Sequence, residues 1–361
     1  MKLFKSLLVA PATLGLLAPM SASANEVTIN DFNAAEEIAV TNSRVDGLEA
    51  RFNDLEAGSF SETTTASFGV DFLVGAVDGA ANEKTTFDYQ MGIGLETSFT
   101  GEDSLSATID IGNASSVVGG TSGLNFDGTS DALVLDGLTY TFPVGGTTVM
   151  VGDNTDISAV YTGACAYSAF TDYMGNCGTG NSVGVGGNGV TAAMSYAFDS
   201  GFSLAGGISA TQVDDNGVTT GLLTKEGTDI YGIEAAYTAD SWGVSVGYAD
   251  DETKTYWGIN GTYAFDALSI SAGVESEDTG STTKEGYFVG LSFPEVGAGS
   301  FDIGMGTTGN FTDDDTEYYT YEASYSYPVN DGMTITPGIY MREVDGADDQ
   351  TGFAVKTSFS F

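Results

Sequence analysis

The chain has 361 residues, 42% hydrophobic and 17% charged, with 50 Gly, 6 Pro, 2 Cys and no His. That suffices for one large domain or two ordinary ones. Acids outnumber bases 50 to 10, which excludes a basic face for nucleic acid. The absence of His removes the usual base of barrel hydrolases and most ways of building a metal site, so neither an enzyme nor a cofactor is expected.

Residues 1–24 place Lys2 and Lys5 ahead of a short apolar run and end on Ala22-Ser23-Ala24, the pattern of a secretory signal peptide cleaved after Ala24. Its removal takes two of the ten bases and no acid, moving the net charge from −40 to −42. No later apolar stretch approaches the roughly 18–20 residues of a membrane helix. Export then leaves the periplasm, the outer membrane or the medium. Over 25–58, Ile38, Val45 and Phe52 recur every seven residues, with Leu48 and Leu55 between them. This narrow seam predicts a short periplasmic coiled coil or, alternatively, one amphipathic helix lying on a barrel mouth.

Beyond residue 62 the helical period gives way to sixteen alternating runs, near 66–74, 86–99, 104–111, 131–142, 147–152, 189–198, 201–210, 228–238, 241–249, 254–265, 267–275, 285–293, 300–308, 317–327, 332–342 and 351–361. Every second connection is tight, as in T-G-E-D, F-P-V-G-G, F-D-S-G-F and T-A-D-S-W. The others (76–84, 112–130, 153–188, 211–227, 250–253, 276–284, 309–316 and 343–350) are longer and more acidic, 250–253 excepted. Short turns on one rim, long loops on the other and an even strand number are the layout of an all-β, 16-stranded antiparallel transmembrane β-barrel over 59–361. Phe142, Phe198, Phe202, Trp242, Phe265, Phe293, Phe301 and Tyr327 flank the tight turns, as in an interfacial aromatic girdle.

Within the runs, Trp242, Val244, Val246 and Tyr248 alternate with Gly243, Ser245 and Gly247, and Phe301, Ile303 and Met305 with Asp302, Gly304 and Gly306. An apolar face opposite a small or polar one predicts a lipid-facing outside and an open, glycine-rich lumen. The last run, T-G-F-A-V-K-T-S-F-S-F, puts Phe353, Val355, Phe359 and Phe361 on one side. It reads as the closing strand, with Phe361 as the signal through which the barrel-assembly machinery takes up the chain.

The passage R-V-D-G-L-E-A-R-F-N-D-L-E-A-G-S-F-S-E-T-T-T-A-S-F-G-V-D-F, Arg44 to Phe72, resembles the junction of cyanobacterial outer-membrane porins. There a periplasmic coiled coil runs into the first strand through an F-S-x-T-T pattern. The family comprises S-layer-homology or "iron uptake" porins, grouped with the carbohydrate-selective OprB porins. The resemblance implies a trimeric sixteen-stranded barrel passing ions and small hydrophilic solutes. Family members usually carry an S-layer-homology domain before the coiled coil. The segment between Ala24 and the heptads is too short for one, as in the short forms of marine picocyanobacteria. With no His, no further Cys and no plug domain, a dedicated iron site is not expected.

In general porins the loop after the fifth strand folds into the barrel, which makes 153–188, the longest connection, a candidate constriction carrying Asp153, Asp156 and Asp172. The alternative is an external loop. Cys165 and Cys177 within it predict a disulfide, with two free thiols as the alternative. Parity sends the acids Asp71, Asp88, Glu96, Asp110, Glu234, Glu275, Asp302 and Glu322 to the lumen, and the bases Lys84, Lys254, Lys284, Arg342 and Lys356. Those bases either face the loop acids across the pore or merely offset nearby carboxylates. The summed charge focuses cations at the mouth, giving a cation-preferring diffusion pore. Tyr256, Phe288, Tyr318 and Tyr340 share lumen parity and raise a carbohydrate-selective pore as the alternative. A secreted acidic adhesin or surface-layer protein is the more distant one. Runs such as Asp313-Asp314-Asp315 lack binding-loop spacing and read as solvated loops rather than metal sites.

Overall fold

A computed structural model describes residues 64–80, 83–114, 126, 128–174, 185, 189–211, 221–225, 227–309, 312–313 and 317–361. The signal peptide and the coiled coil expected from the sequence lie outside the described residues. Sixteen strands form the wall. In chain order they are β1 (Thr64–Asp78), β2 (Thr85–Thr97), β3 (Ser104–Gly112), β4 (Val134–Val144), β5 (Thr147–Thr155), β6 (Gly189–Ala197), β7 (Phe202–Ala210) and β8 (Asp229–Thr238). The second half comprises β9 (Trp242–Asp250), β10 (Thr255–Ala264), β11 (Ser269–Asp278), β12 (Thr283–Val296), β13 (Gly299–Thr307), β14 (Tyr319–Asn330), β15 (Met333–Arg342) and β16 (Gln350–Ser360). A two-residue pairing, Thr312–Asp313, extends the ladder beside β12. Each strand pairs antiparallel with its neighbours in sequence.

The sheet closes on itself. β1 pairs with β16 from Gly69 opposite Ser360 to Asp78 opposite Thr351. Phe68 and Phe361 exchange backbone hydrogen bonds of 2.9 and 3.0 Å. Their rings stack with centroids 5.7 Å apart. The alternating terminal run therefore seals the last edge of the sheet, which would otherwise present unpaired backbone groups. Among the described residues no helix is long and apolar enough to cross a membrane.

The loop-length pattern follows the expectation with one difference. Between β11 and β12 only residues 279–282 are left outside the ladder, where the sequence suggested a longer loop over 276–284. Both strands extend because Glu277 pairs in register with Lys284, while the Lys254 ammonium holds the Glu277 carboxylate at 3.0 Å. On the opposite rim the hairpins are tightest where glycine leads the turn. Gly145 (φ +63°) and Gly297 (φ +68°) each take the first central position of a two-residue loop, which needs a left-handed residue there.

The turn between β2 and β3 is tied by one carboxylate. Asp103 Oδ1 accepts from the Ser98 hydroxyl and the Phe99 and Thr100 amides at 2.7–3.0 Å, and Oδ2 accepts from the Tyr140 hydroxyl at 2.8 Å. Desolvation would raise its carboxyl, but the hydrogen bonds from Thr100, Tyr140 and Ser98 outweigh it and hold the group well below the usual carboxylate range. A depressed carboxyl adds stability that is complete above the unfolded-state value and is lost as the pH falls through the folded one. Asp103→Ala should therefore lower the temperature at which the folded band disappears in heat-modifiable electrophoresis at neutral pH. The deficit should shrink below about pH 4, the ordinary aspartate range.

The two faces of the wall differ as the alternation requires. Outside, Met194, Leu204, Ile233, Val246 and Ile303 are all exposed. Close to the tight turns the aromatics pair off, Tyr140 with Phe142 (5.3 Å between centroids), Tyr196 with Phe198 (4.7 Å), Tyr237 with Trp242 (5.1 Å) and Tyr263 with Phe265 (4.6 Å). Inside, the buried positions are Ser203, Ser245, Asn260, Ser271 and Thr320, interleaved with glycine. The inner face is mostly polar or small, with Leu73, Met150, Tyr256, Phe288 and Tyr340 set into it, and something covers it.

Candidate functional site: an inward strap held on the barrel wall

The cover is the chain that follows β5. A short 3₁₀ turn over Ile157–Val160 is started by Asp156, whose side chain accepts from the Ser158 amide at 2.8 Å. Ile157 and Val185 are fully buried there, packed with Met150, Ala193 and Tyr256. From Tyr161 to Met174 the chain is irregular. Those 14 residues reach about 50 Å at most, yet they touch inward-facing positions from β7 round to β1. A path inside the barrel permits that coverage, so this part of the loop folds inward as a strap at mid-height.

Two carboxylates of the wall, Glu234 and Glu322, hold the strap by its backbone amides. Glu234 on β8 accepts from the Thr162 and Gly163 amides at 2.7 and 2.9 Å. Asp302 on β13 accepts from the Ser292 hydroxyl at 2.5 Å. Glu322 on β14 accepts four bonds: from the Tyr167 hydroxyl (2.6 Å), the Phe170 and Thr171 amides (2.7 and 2.9 Å) and the Thr171 hydroxyl (2.6 Å). Ser271 on β11 adds an acceptor for the Ala166 amide at 3.0 Å. An irregular segment has no ladder of its own, so its enclosed amides need such partners. Acids supply them because a carboxylate accepts several donors at once.

The glycines of the inner face have a related role. The strap's rings lie directly on them. A Cβ built on Gly290 would sit 2.3 Å from the Tyr167 ring, one on Gly304 2.5 Å from the Tyr167 hydroxyl, and one on Gly338 2.4 Å from the Phe170 ring. Val185 and Tyr161 likewise occupy the space over Gly232, at 2.4 and 2.6 Å. Phe170 continues into a cluster with Leu73 of β1 and Ala354 of β16. The glycine-rich face does not leave the lumen open at these strands. It forms sockets for side chains of the strap.

The acids assigned to the lumen by parity fall into two groups. Glu234, Asp302 and Glu322 are buried under the strap, and Glu275 on β11 is buried with them. On the uncovered side of the wall, Asp88 and Glu96 of β2 and Asp110 of β3 are half-buried or exposed. Asp71 of β1 accepts from the Gln90 side chain at 2.8 Å. On the loop, Asp153 is half-buried, Asp156 is spent on the cap, and Asp172 is exposed on the strap's free side. Although the residue is exposed, partial desolvation of its carboxyl raises it above the ordinary value.

Among the bases, Lys254 pairs with Glu277. The Arg342 guanidinium lies 4.3 Å from the centre of the Tyr173 ring, a cation–π contact that also pins the far end of the strap. Lys284 stands at the loop end of β12 opposite Glu277. Lys356 is half-buried on β16 beside Leu73 and Thr336, and Lys84 is exposed before β2. Cys165 is disulfide-bonded, and Cys177 lies outside the described residues. Tyr256, Phe288 and Tyr340 are buried beneath or beside the strap rather than presented to the lumen. Tyr318 is half-buried, its hydroxyl bonded to Asp345 at 2.7 Å. Sequence reasoning missed the strap's own anchors, Tyr161, Tyr167, Phe170 and Tyr173. Their one signal was aromatic spacing inside an otherwise Gly-, Ala- and Ser-rich loop.

No family model matches the chain. Among curated proteins it is similar to an uncharacterized protein of Nostoc sp., 40% identical over 111 residues, covering 30% of this chain and 19% of that protein. The chain thus spans about a fifth of that relative's length. Among solved structures it resembles OprB of Pseudomonas putida, with a TM-score of 0.64 at 15% identity over 83% of this chain and 94% of that one. It also resembles an anion-selective porin of Comamonas acidovorans, with a TM-score of 0.57 at 15% identity, covering 83% and 99%. A mutant of the Rhodopseudomonas blastica porin gives 0.53 at 15% identity, covering 82% and 100%. The shared feature is the fold, a closed sixteen-stranded porin-type barrel.

Proposed function

We propose that this chain is an outer-membrane porin, a channel rather than an enzyme, through which ions and small hydrophilic solutes diffuse with a preference for cations. Export by the N-terminal signal, recognition of Phe361 by the assembly machinery and association as a homotrimer belong to the same proposal. The observation that carries the cation preference is the division of charge. The acids away from the strap, Asp71, Asp88, Glu96 and Asp110, line one side of the pore, and Asp172 lies exposed on the strap. Of the inward bases, Lys254 is paired with Glu277, Arg342 keeps its charge over the Tyr173 ring, and with Lys84, Lys284 and Lys356 they are outnumbered by the acids that parity sends inward. Low-dielectric walls focus the remaining negative field onto the aqueous path.

The likeness to OprB supports a second reading, a carbohydrate-selective pore. A sugar track needs rings presented in series to the solute, and the inward aromatics here are covered by the strap or bonded at the rim. The ion-conducting reading is therefore the stronger. The test is reconstitution into a planar bilayer. Stepwise conductance that added oligosaccharide leaves unchanged supports the diffusion pore. Saturable block by the sugar would establish the carbohydrate reading, and the absence of any conductance from folded protein would overturn both.

A further inference from the structure

In the outer face of the wall, nearly every mid-strand position carries a side chain. Apart from Gly299 at a turn, two described strand glycines alternate outward, Gly206 on β7 and Gly261 on β10, and each lies at the floor of an apolar pit. Gly206 sits between Met194 and Ile233 of the flanking strands, in a pit of about 690 Å³. Gly261 sits between Val244 and Ala272, in a pit of about 530 Å³ walled by Trp242, Tyr263, Phe265 and Ile270. The aromatics at the second pit stand next to the tight turns, where a barrel meets the headgroup layer.

We propose that these pits are binding sites for the hydrocarbon chains of phospholipid in the leaflet on the tight-turn side, with the Gly261 pit seating one chain between Trp242 and Ile270. This rests on the membrane reading above. The pits are continuous with the apolar band that faces lipid, and their lining is predominantly apolar, so they offer water few hydrogen bonds. A methylene chain rising past the aromatic rim has the shape and chemistry to fill a gap left by a missing side chain. A second copy of the chain would meet the pits with the same side-chain-covered wall, which has no projecting segment to enter them among the described residues.

The chain's two tryptophans provide the test. Trp242 lines the Gly261 pit. Trp257 faces outward on the same strand as Gly261, towards the opposite rim, and lines neither pit. Trp257→Phe and Trp242→Phe each leave one fluorophore, and both proteins are reconstituted with a small fraction of chain-brominated phosphatidylcholine. A seated chain predicts that Trp242 is quenched more strongly than Trp257 at low brominated fraction. Gly261→Leu should abolish that excess, since a Cβ there meets nothing nearer than the Gly243 carbonyl at 3.6 Å and the side chain can fill the pit. Equal quenching of the two tryptophans would overturn the proposal in favour of an unstructured lipid annulus. Shielding of Trp242 would overturn it in favour of a protein contact. No quenching of either would instead overturn the membrane reading on which it rests.

Discussion

Gly338→Leu should lower the single-channel conductance while the barrel still folds and still shifts on heating in electrophoresis. The Phe170 ring fills the space a side chain at 338 would need, only 2.4 Å from its Cβ. Leu73 and Ala354 flank the same ring on the neighbouring strands of the wall, so the ring cannot slide sideways along it. Overpacking of this kind costs about 1–3 kcal/mol, and the cheapest relief is for the strap to move inward, into the aqueous path. Adding Phe170→Ala should restore much of the conductance by vacating the site. If Gly338→Leu leaves the conductance unchanged, the ring does not seat there.

Glu322→Ala is expected to have the next largest effect. It strips acceptors from two amides and two hydroxyls in a site that is 3% exposed. Leaving such donors without partners costs about 1–3 kcal/mol for each group that water cannot reach. The strap should then detach locally near Phe170, seen as raised open-channel noise and faster proteolysis between Tyr167 and Met174. Glu322→Gln should be intermediate, because the amide keeps one acceptor oxygen and turns two donors towards a cluster of donors. A quiet channel and an uncut strap in Glu322→Ala would show that the other anchors suffice.

Much of the barrel was legible in the chain. The alternation of Trp242, Val244, Val246 and Tyr248 with Gly243, Ser245 and Gly247 has one physical reading, a strand between lipid and a small-residue interior. The terminal Phe353, Val355, Phe359 and Phe361 placed the closing strand. The alternation of tight turns and long loops fixed strand number and direction, because hairpin turns and mobile loops have different residue requirements.

The strap was legible as a long loop with two cysteines and as a candidate to fold inward, but its track was not. Its track depends on contacts with no local signature: Thr171 meets Glu322 across 151 positions of sequence and Ala166 meets Ser271 across 105. Glycine on the inner face was equally consistent with an empty lumen and with sockets, and only the position of Tyr167 and Phe170 separates the two. For the same reason parity sends Glu234, Asp302 and Glu322 inward without telling an acid facing water from one bonded to neighbouring groups.

In the proposed channel that distinction would set selectivity, with Asp71, Asp88, Glu96, Asp110 and Asp172, which lie off the anchoring contacts of the strap, shaping the field along the path. Protonating Asp172, whose carboxyl is raised above its ordinary value by desolvation, should reduce the preference for cations as the pH is lowered.

The reversal potential of the reconstituted channel in a KCl gradient tests this most directly. Stepwise conductance is expected, with a reversal potential on the potassium side at neutral pH that moves towards zero in Asp172→Asn. A reversal potential on the chloride side would contradict it. Arg342, Lys356 and Lys84 would then control the path, and the acids on the uncovered wall would not.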